Sequence, residues 1–146
     1  MEGISNEIKI RIGIKRGCVY NFSPSTGIDN HYFIVLNSNP KKDEEIHLAM
    51  FTTKKENVLK FIEYRKLDSK TLVQIERGEC PFLPRPDDTG VDCNRPISIN
   101  IEDLIERIND SEGSCSYPAI PENLISRIIE GVRASRMVGE NIKQAL

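Results

Sequence analysis

The sequence predicts an α+β protein, a small antiparallel β-barrel over about residues 8–100 followed by a helical part over about 101–146. Three observations carry that prediction. Between Arg16 and Thr53 three short apolar runs follow one another, Cys18 to Phe22, Tyr32 to Leu36 and Ile46 to Phe51, each closed by polar turn residues, as in an antiparallel meander. Beyond Asn100 the apolar positions recur at helical spacing, and the pattern predicts a long C-terminal helix. At 146 residues the chain has room for one domain that buries about two thirds of its unfolded surface, so residues 1–146 are expected to form a single unit.

Taken in order, Ile8-Lys-Ile-Arg-Ile-Gly-Ile14 alternates branched apolar with polar or small residues, the period-two signature of a half-buried edge strand. Arg16 and Gly17 turn the chain into a strand in which Cys18, Tyr20 and Phe22 share one face and Val19 takes the other. The loop Ser23 to Asn30 is rich in turn formers and must be exposed, which sets His31 near the surface. The unbroken apolar run from Tyr32 to Leu36 predicts a central strand buried on both faces. In the next strand Ile46, Leu48 and Met50 face one way, while His47, Ala49 and Phe51 face the other.

Residues 55–70 read as a short helix from the spacing of Val58, Leu59 and Ile62, with a strand as the alternative that Phe61 and Tyr64 permit, and Thr71 to Glu76 reads as a strand. Arg77 to Gly90 reads as a long loop, since Pro81, Pro84 and Pro86 each remove a backbone donor and restrict the preceding residue. Val91–Cys93 and Pro96–Ile99 read as one last, interrupted strand. Asn100 is placed to cap a helix over Ile101–Ile108, with Asp103 at the third helical position. Pro121 suits the first turn of the clearest helix, whose Leu124, Ile125, Ile128, Ile129, Val132 and Met137 form an apolar stripe. Its Arg127, Arg133 and Arg136 form either a solvated face or a contact surface.

Composition narrows the functional classes. A charged fraction of 29% with 38% hydrophobic residues is that of a globular protein, and no apolar run approaches the roughly 20 residues of a spanning helix. The N-terminus lacks the features of a secretory leader, so the expected setting is cytoplasmic, with no membrane partner. A formal charge of −2 gives no global attraction to nucleic acid, so any RNA contact must be local. Cys18, Cys80, Cys93 and Cys115 are widely spaced, without a Cys-x-x-Cys pair, and read as reduced, mostly buried thiols. A metal held by Cys80, Cys93 and one histidine is the alternative; the expectation is no metal and no cofactor.

The segment Gly17-Cys-Val, the strand His31-Tyr-Phe-Ile-Val-Leu and the strand end Phe51-Thr-Thr together resemble the MazF/PemK small-barrel family of toxin–antitoxin endoribonucleases, over residues 16–53. Two departures stand out. Cys18 occupies the place of an acidic residue usual in that family, and His31-Tyr32 replaces its Arg-Pro pair. The resemblance implies an SH3-like barrel, a homodimer, action on single-stranded RNA and an antitoxin partner. Carried over residue by residue, it points to Thr52 with Thr53 beside it, and to His31 as a positional substitute for the arginine.

Metal-independent RNA cleavage needs a base for the 2′-hydroxyl proton, an acid for the leaving oxygen and donors for the phosphate charge. Histidine serves either proton role near neutral pH, which makes His31 the candidate catalytic group. Thr52 and Thr53 are candidate phosphate donors, and Arg16, Lys54 and Lys55 candidate RNA-binding cations. The plain structural account is that His31 ends a loop and the threonines suit a strand end. The competing function is a non-catalytic small-barrel module that docks a protein through the Pro-rich loop, anchored by Phe82, or through the C-terminal helix.

Overall fold

The computed structural model describes residues 4–146 and shows five strands in one antiparallel sheet. These are β1 (Val19–Phe22), β2 (His31–Val35), β3 (Ile46–Thr52), β4 (Leu72–Gln74) and β5 (Gly90–Ile99), in the spatial order β1-β2-β3-β5-β4. Five α-helices accompany them: α1 (Asn6–Gly13), α2 (Lys55–Arg65), α3 (Ile101–Asp110), α4 (Glu122–Ala134) and α5 (Glu140–Ala145). The α+β class is thus observed. β1 and β4 stand at the two edges, and among the described residues no ladder joins them, so closure into a barrel is not shown.

Both faces of the sheet are buried, which is why its strands read as continuous apolar runs. On one face Tyr20, Phe22, Phe33, Val35, Ile46 and Leu48 meet Ile10 and Ile14 at α1 and Leu104, Ile105 and Ile108 of α3. On the other, Val19, Ile34, Leu36, Ala49, Phe51, Val91 and Cys93 meet Leu124, Ile125, Ile128 and Val132 of α4. The expected alternation in β1 and β3 and the burial of β2 on both faces therefore hold, although β3, not β2, is the middle strand. Asn100 caps α3 as expected, its side-chain oxygen accepting from the Asp103 amide at 2.8 Å.

Three expectations change. The segment Ile8–Ile14 is helix α1, not an edge strand. An alternating row of isoleucines also contains pairs four apart, and the helix buries Ile10 and Ile14 while leaving Ile8 and Ile12 exposed at 49% and 70%. Ser5 decides between the two periods locally, accepting from the Ile8 amide as the N-cap. The C-terminal helix is two shorter pieces: α4 stops at Ala134 because Ser135 turns inward, its hydroxyl donating to the Asn94 Oδ1 at 2.7 Å. Met137, expected on the stripe, lies past that end and is 38% exposed. The interrupted last strand is instead one ten-residue strand, β5, with the interruption appearing as a register shift opposite Leu48 and Met50.

Candidate functional site

The candidate site forms where β2 begins and β3 ends. Phe33 pairs with Met50 in this antiparallel ladder, and continuing that register by two residues sets His31 opposite Thr52. Thr53 and Lys54 follow at once, before α2 turns the chain away. The Pro-rich loop supplies the facing wall. It folds back because Cys80 and Leu83 are buried and Glu79 forms an ion pair with Arg127 of α4. Arg127 also donates to the Gln74 carbonyl at 2.9 Å, so the root of the loop is held at two points.

Between these walls lies a pocket of about 450 Å³. His31, Thr52, Thr53 and Lys54 line it from the strand side, and Leu83, Pro84, Arg85 and Thr89 from the loop side. Its floor is aromatic. Tyr32 and Phe51 sit in a cluster with Phe82 and Tyr117, ring centroids 5.2 to 6.5 Å apart. Burial and the neighbouring Tyr117 hydroxyl raise the pKa of Tyr32, which keeps its phenol protonated at neutral pH. Thr52 Oγ1 accepts from the Lys54 amide at 3.0 Å, fixing the turn that presents Lys54. Arg85 is steadied by Asp88 through Nε and Nη2 at 3.2 and 2.9 Å, and its carbonyl accepts from the Thr89 hydroxyl at 2.7 Å.

Four of the six residues expected from the sequence thus share one pocket, and two do not. Arg16 is turned away: its Nε donates to the Leu36 carbonyl at 3.0 Å, and it lies beside Glu122 and Arg133 of α4, where burial lowers its pKa. Lys55 is also diverted. Its ammonium donates to Gln74 Oε1 at 2.9 Å and to the Asp87 carbonyl at 3.3 Å, tying α2 to β4 and to the loop. Both replace an expected RNA contact with a structural one, because a carbonyl within reach satisfies a cation's donors at lower entropic cost than a mobile ligand does.

His47 is a satisfied core histidine, 4% exposed, with Nδ1 2.7 Å from Ser98 Oγ. It cannot partner His31: at ~3.3 Å per residue, the five residues from His47 to Thr52 span about 16 Å of strand. No group of three metal-ligating side chains occurs among the described residues, which leaves the Cys80–Cys93–histidine arrangement without support. Cys80 and Cys93 are buried, and burial pushes the Cys80 thiol up to about 12.

Arg85 is the cation of the pocket wall that strand and family patterns do not single out. Its signal is local, an arginine between two prolines in Pro84-Arg85-Pro86, which restrict the backbone on either side. Asn30 and Asp29, at the end of the β1–β2 loop, also line the pocket, Asp29 as its one carboxylate besides the Arg85-bound Asp88 nearby.

No protein-family model matches the chain, and no curated protein matches it. The chemistry of the site therefore rests on its own geometry. An imidazole, two strand-end threonines, an ammonium and a guanidinium around an aromatic floor can move a proton, donate to phosphate oxygens and stack a flat ring. No helix among the described residues is long and apolar enough to cross a membrane.

Proposed function

We propose that the protein is a MazF/PemK-like, metal-independent endoribonuclease that acts on single-stranded RNA in this pocket. The observation that carries the reading is that His31, Thr52, Thr53 and Lys54 line one cavity, opposite a second wall that bears Arg85. His31 takes the 2′-hydroxyl proton, the 2′-oxygen attacks phosphorus, the P–O5′ bond breaks, and the 5′-oxygen leaves as a hydroxyl with a proton from water. Thr52 and Thr53 donate to the non-bridging oxygens while Lys54 offsets their charge. Tyr32, packed on the buried Phe51, offers a face for a base. With this reading go an SH3-like barrel ancestry for the sheet, a homodimer, a cytoplasmic setting and an antitoxin partner.

The competing protein-docking function loses its anchors. Phe82 packs inward on Tyr32 and Tyr117, Arg127 pairs with Glu79, and Arg136 donates to the Arg65 carbonyl at 2.5 Å. What favours it is a different surface, the exposed Ile8 and Ile12 of α1 with Ile4 just before it.

The test is cleavage of a mixed-sequence single-stranded RNA pool in chelator, wild type against His31→Ala. The wild type is expected to cut, and the variant to lose about 10²-fold or more in rate, the usual worth of a positioned proton-transfer group. An uncut pool, or equal cutting by both, overturns the reading.

A further inference from the structure

The pocket that holds His31 does not end at Asn30. A second cavity, about 330 Å³, begins on the other side of that residue, and Asn30 lines both. Its wall is polar: Ser23, Ser25 and Thr26 of the β1–β2 loop on one side, Arg107 and Ser111 at the end of α3 on the other. Asp110 lines it as well, yet Arg107 forms no ion pair with it or with any other carboxylate among the described residues. Arg107 is half-buried and lines this wall with no hydrogen-bond or ion-pair partner for its guanidinium among the described residues.

The cavity is preformed by hydrogen bonds that lock the loop to the helix end. The Asn30 side-chain Nδ2 donates to the Ser111 carbonyl at 3.1 Å and to Asn21 Oδ1 at 3.3 Å. Ser111 Oγ accepts from the Ser23 amide at 3.1 Å and donates to the Arg107 carbonyl at 2.7 Å. The Ser23 hydroxyl bonds the Ser25 and Ile28 carbonyls, closing the loop on itself. Gly27, at φ +82°, makes the turn at the loop tip. Neither the Pro-rich loop nor the aromatic floor contributes, so this is a distinct subsite with its own elements.

We propose that this cavity is a second phosphate subsite, in which Arg107 and the Ser25 and Thr26 hydroxyls hold the phosphodiester of a flanking nucleotide in single-stranded RNA. The proposal rests on the RNA reading of the His31 pocket and extends it. The preferred ligand is an internal stretch of strand that passes over Asn30, not a mononucleotide or a dinucleotide. A fork of guanidinium donors beside two hydroxyls matches a phosphate, while the absence of an aromatic platform argues that this subsite reads backbone and not base.

The experiment is fluorescence anisotropy with two fluorescein-labelled mixed-sequence RNA pools, a dinucleotide and a nine-nucleotide strand. The strand is expected to bind the wild type at least tenfold more tightly than the dinucleotide. Arg107→Gln should weaken the strand about tenfold and leave the dinucleotide unchanged. It should also lower the salt slope of strand binding by roughly 0.7, the value for one phosphate of a single strand that no longer meets a cation. Thr26→Glu, at an exposed position beside Gly27, should weaken the strand in the same selective way. Wild-type binding with equal affinities for both pools, or variants that weaken both alike or neither, overturns the second subsite alone. A wild type that binds neither pool overturns the subsite and the RNA reading together.

Discussion

Two histidines in this chain differ in fate because of where their strands put them. His31 opens β2 at a pocket mouth, whereas His47 lies inside β3 opposite Ser98 of β5. Burial holds the His47 imidazole below its ordinary pKa of 6.5, against a weaker opposite pull from Glu45 and Asp43. The unfolded chain therefore takes up this proton at a higher pH than the folded chain does. His47 costs nothing above pH 6.5, and stability is lost as the pH falls below that value and through the folded-state pKa. His47→Gln, which keeps a polar partner for Ser98, should flatten the dependence of Tm on pH between 7 and 5. Parallel slopes for variant and wild type would contradict the assignment.

At the scale of elements, the pattern of apolar residues located β1, β2, β3 and α2 because each carries its period within one short run. It misread α1 because Ile8 to Ile14 satisfies period two and spacing four together, and the deciding residue, Ser5, lies outside the run. It overran α4 because Met137 continues the stripe, while the stop comes from Ser135 bonding Asn94 on a strand more than 40 positions away. The same close packing explains Gly131. A Cβ there would stand 2.7 Å from the Lys70 carbonyl and 2.9 Å from Cys93 Sγ, so α4 lies too close to β5 for a side chain. Gly131→Ala should destabilise the protein by about 1–3 kcal/mol through overpacking, offset by up to about 1 kcal/mol of helix propensity. A melting temperature lowered by roughly 3 °C or more is the expected reading, and a raised one would show that the helix can shift outward.

For the whole molecule, the candidate site is a product of topology. Neighbouring strands in the meander set His31 opposite Thr52; the strand order was legible, but the pairing was not, since it depends on the β2–β3 register. The second wall was not legible, since it depends on the Pro-rich loop being drawn back by the Arg127–Glu79 pair and by the burial of Cys80 and Leu83. Nor was the exclusion of Arg16 and Lys55, whose partners Leu36, Gln74 and Asp87 are contacts at long sequence separation. The result is a pocket whose proton-transfer group and phosphate donors come from the sheet, with a cation added by the loop. Because the 2′-hydroxyl is the nucleophile in this account, the most direct measurement compares an RNA strand with the same sequence in DNA, in chelator, with the product ends identified. The account predicts cleavage of the RNA alone, leaving a 2′,3′-cyclic phosphate and a free 5′-hydroxyl; cleavage of the DNA, or cleavage only after a divalent metal is added, would contradict it.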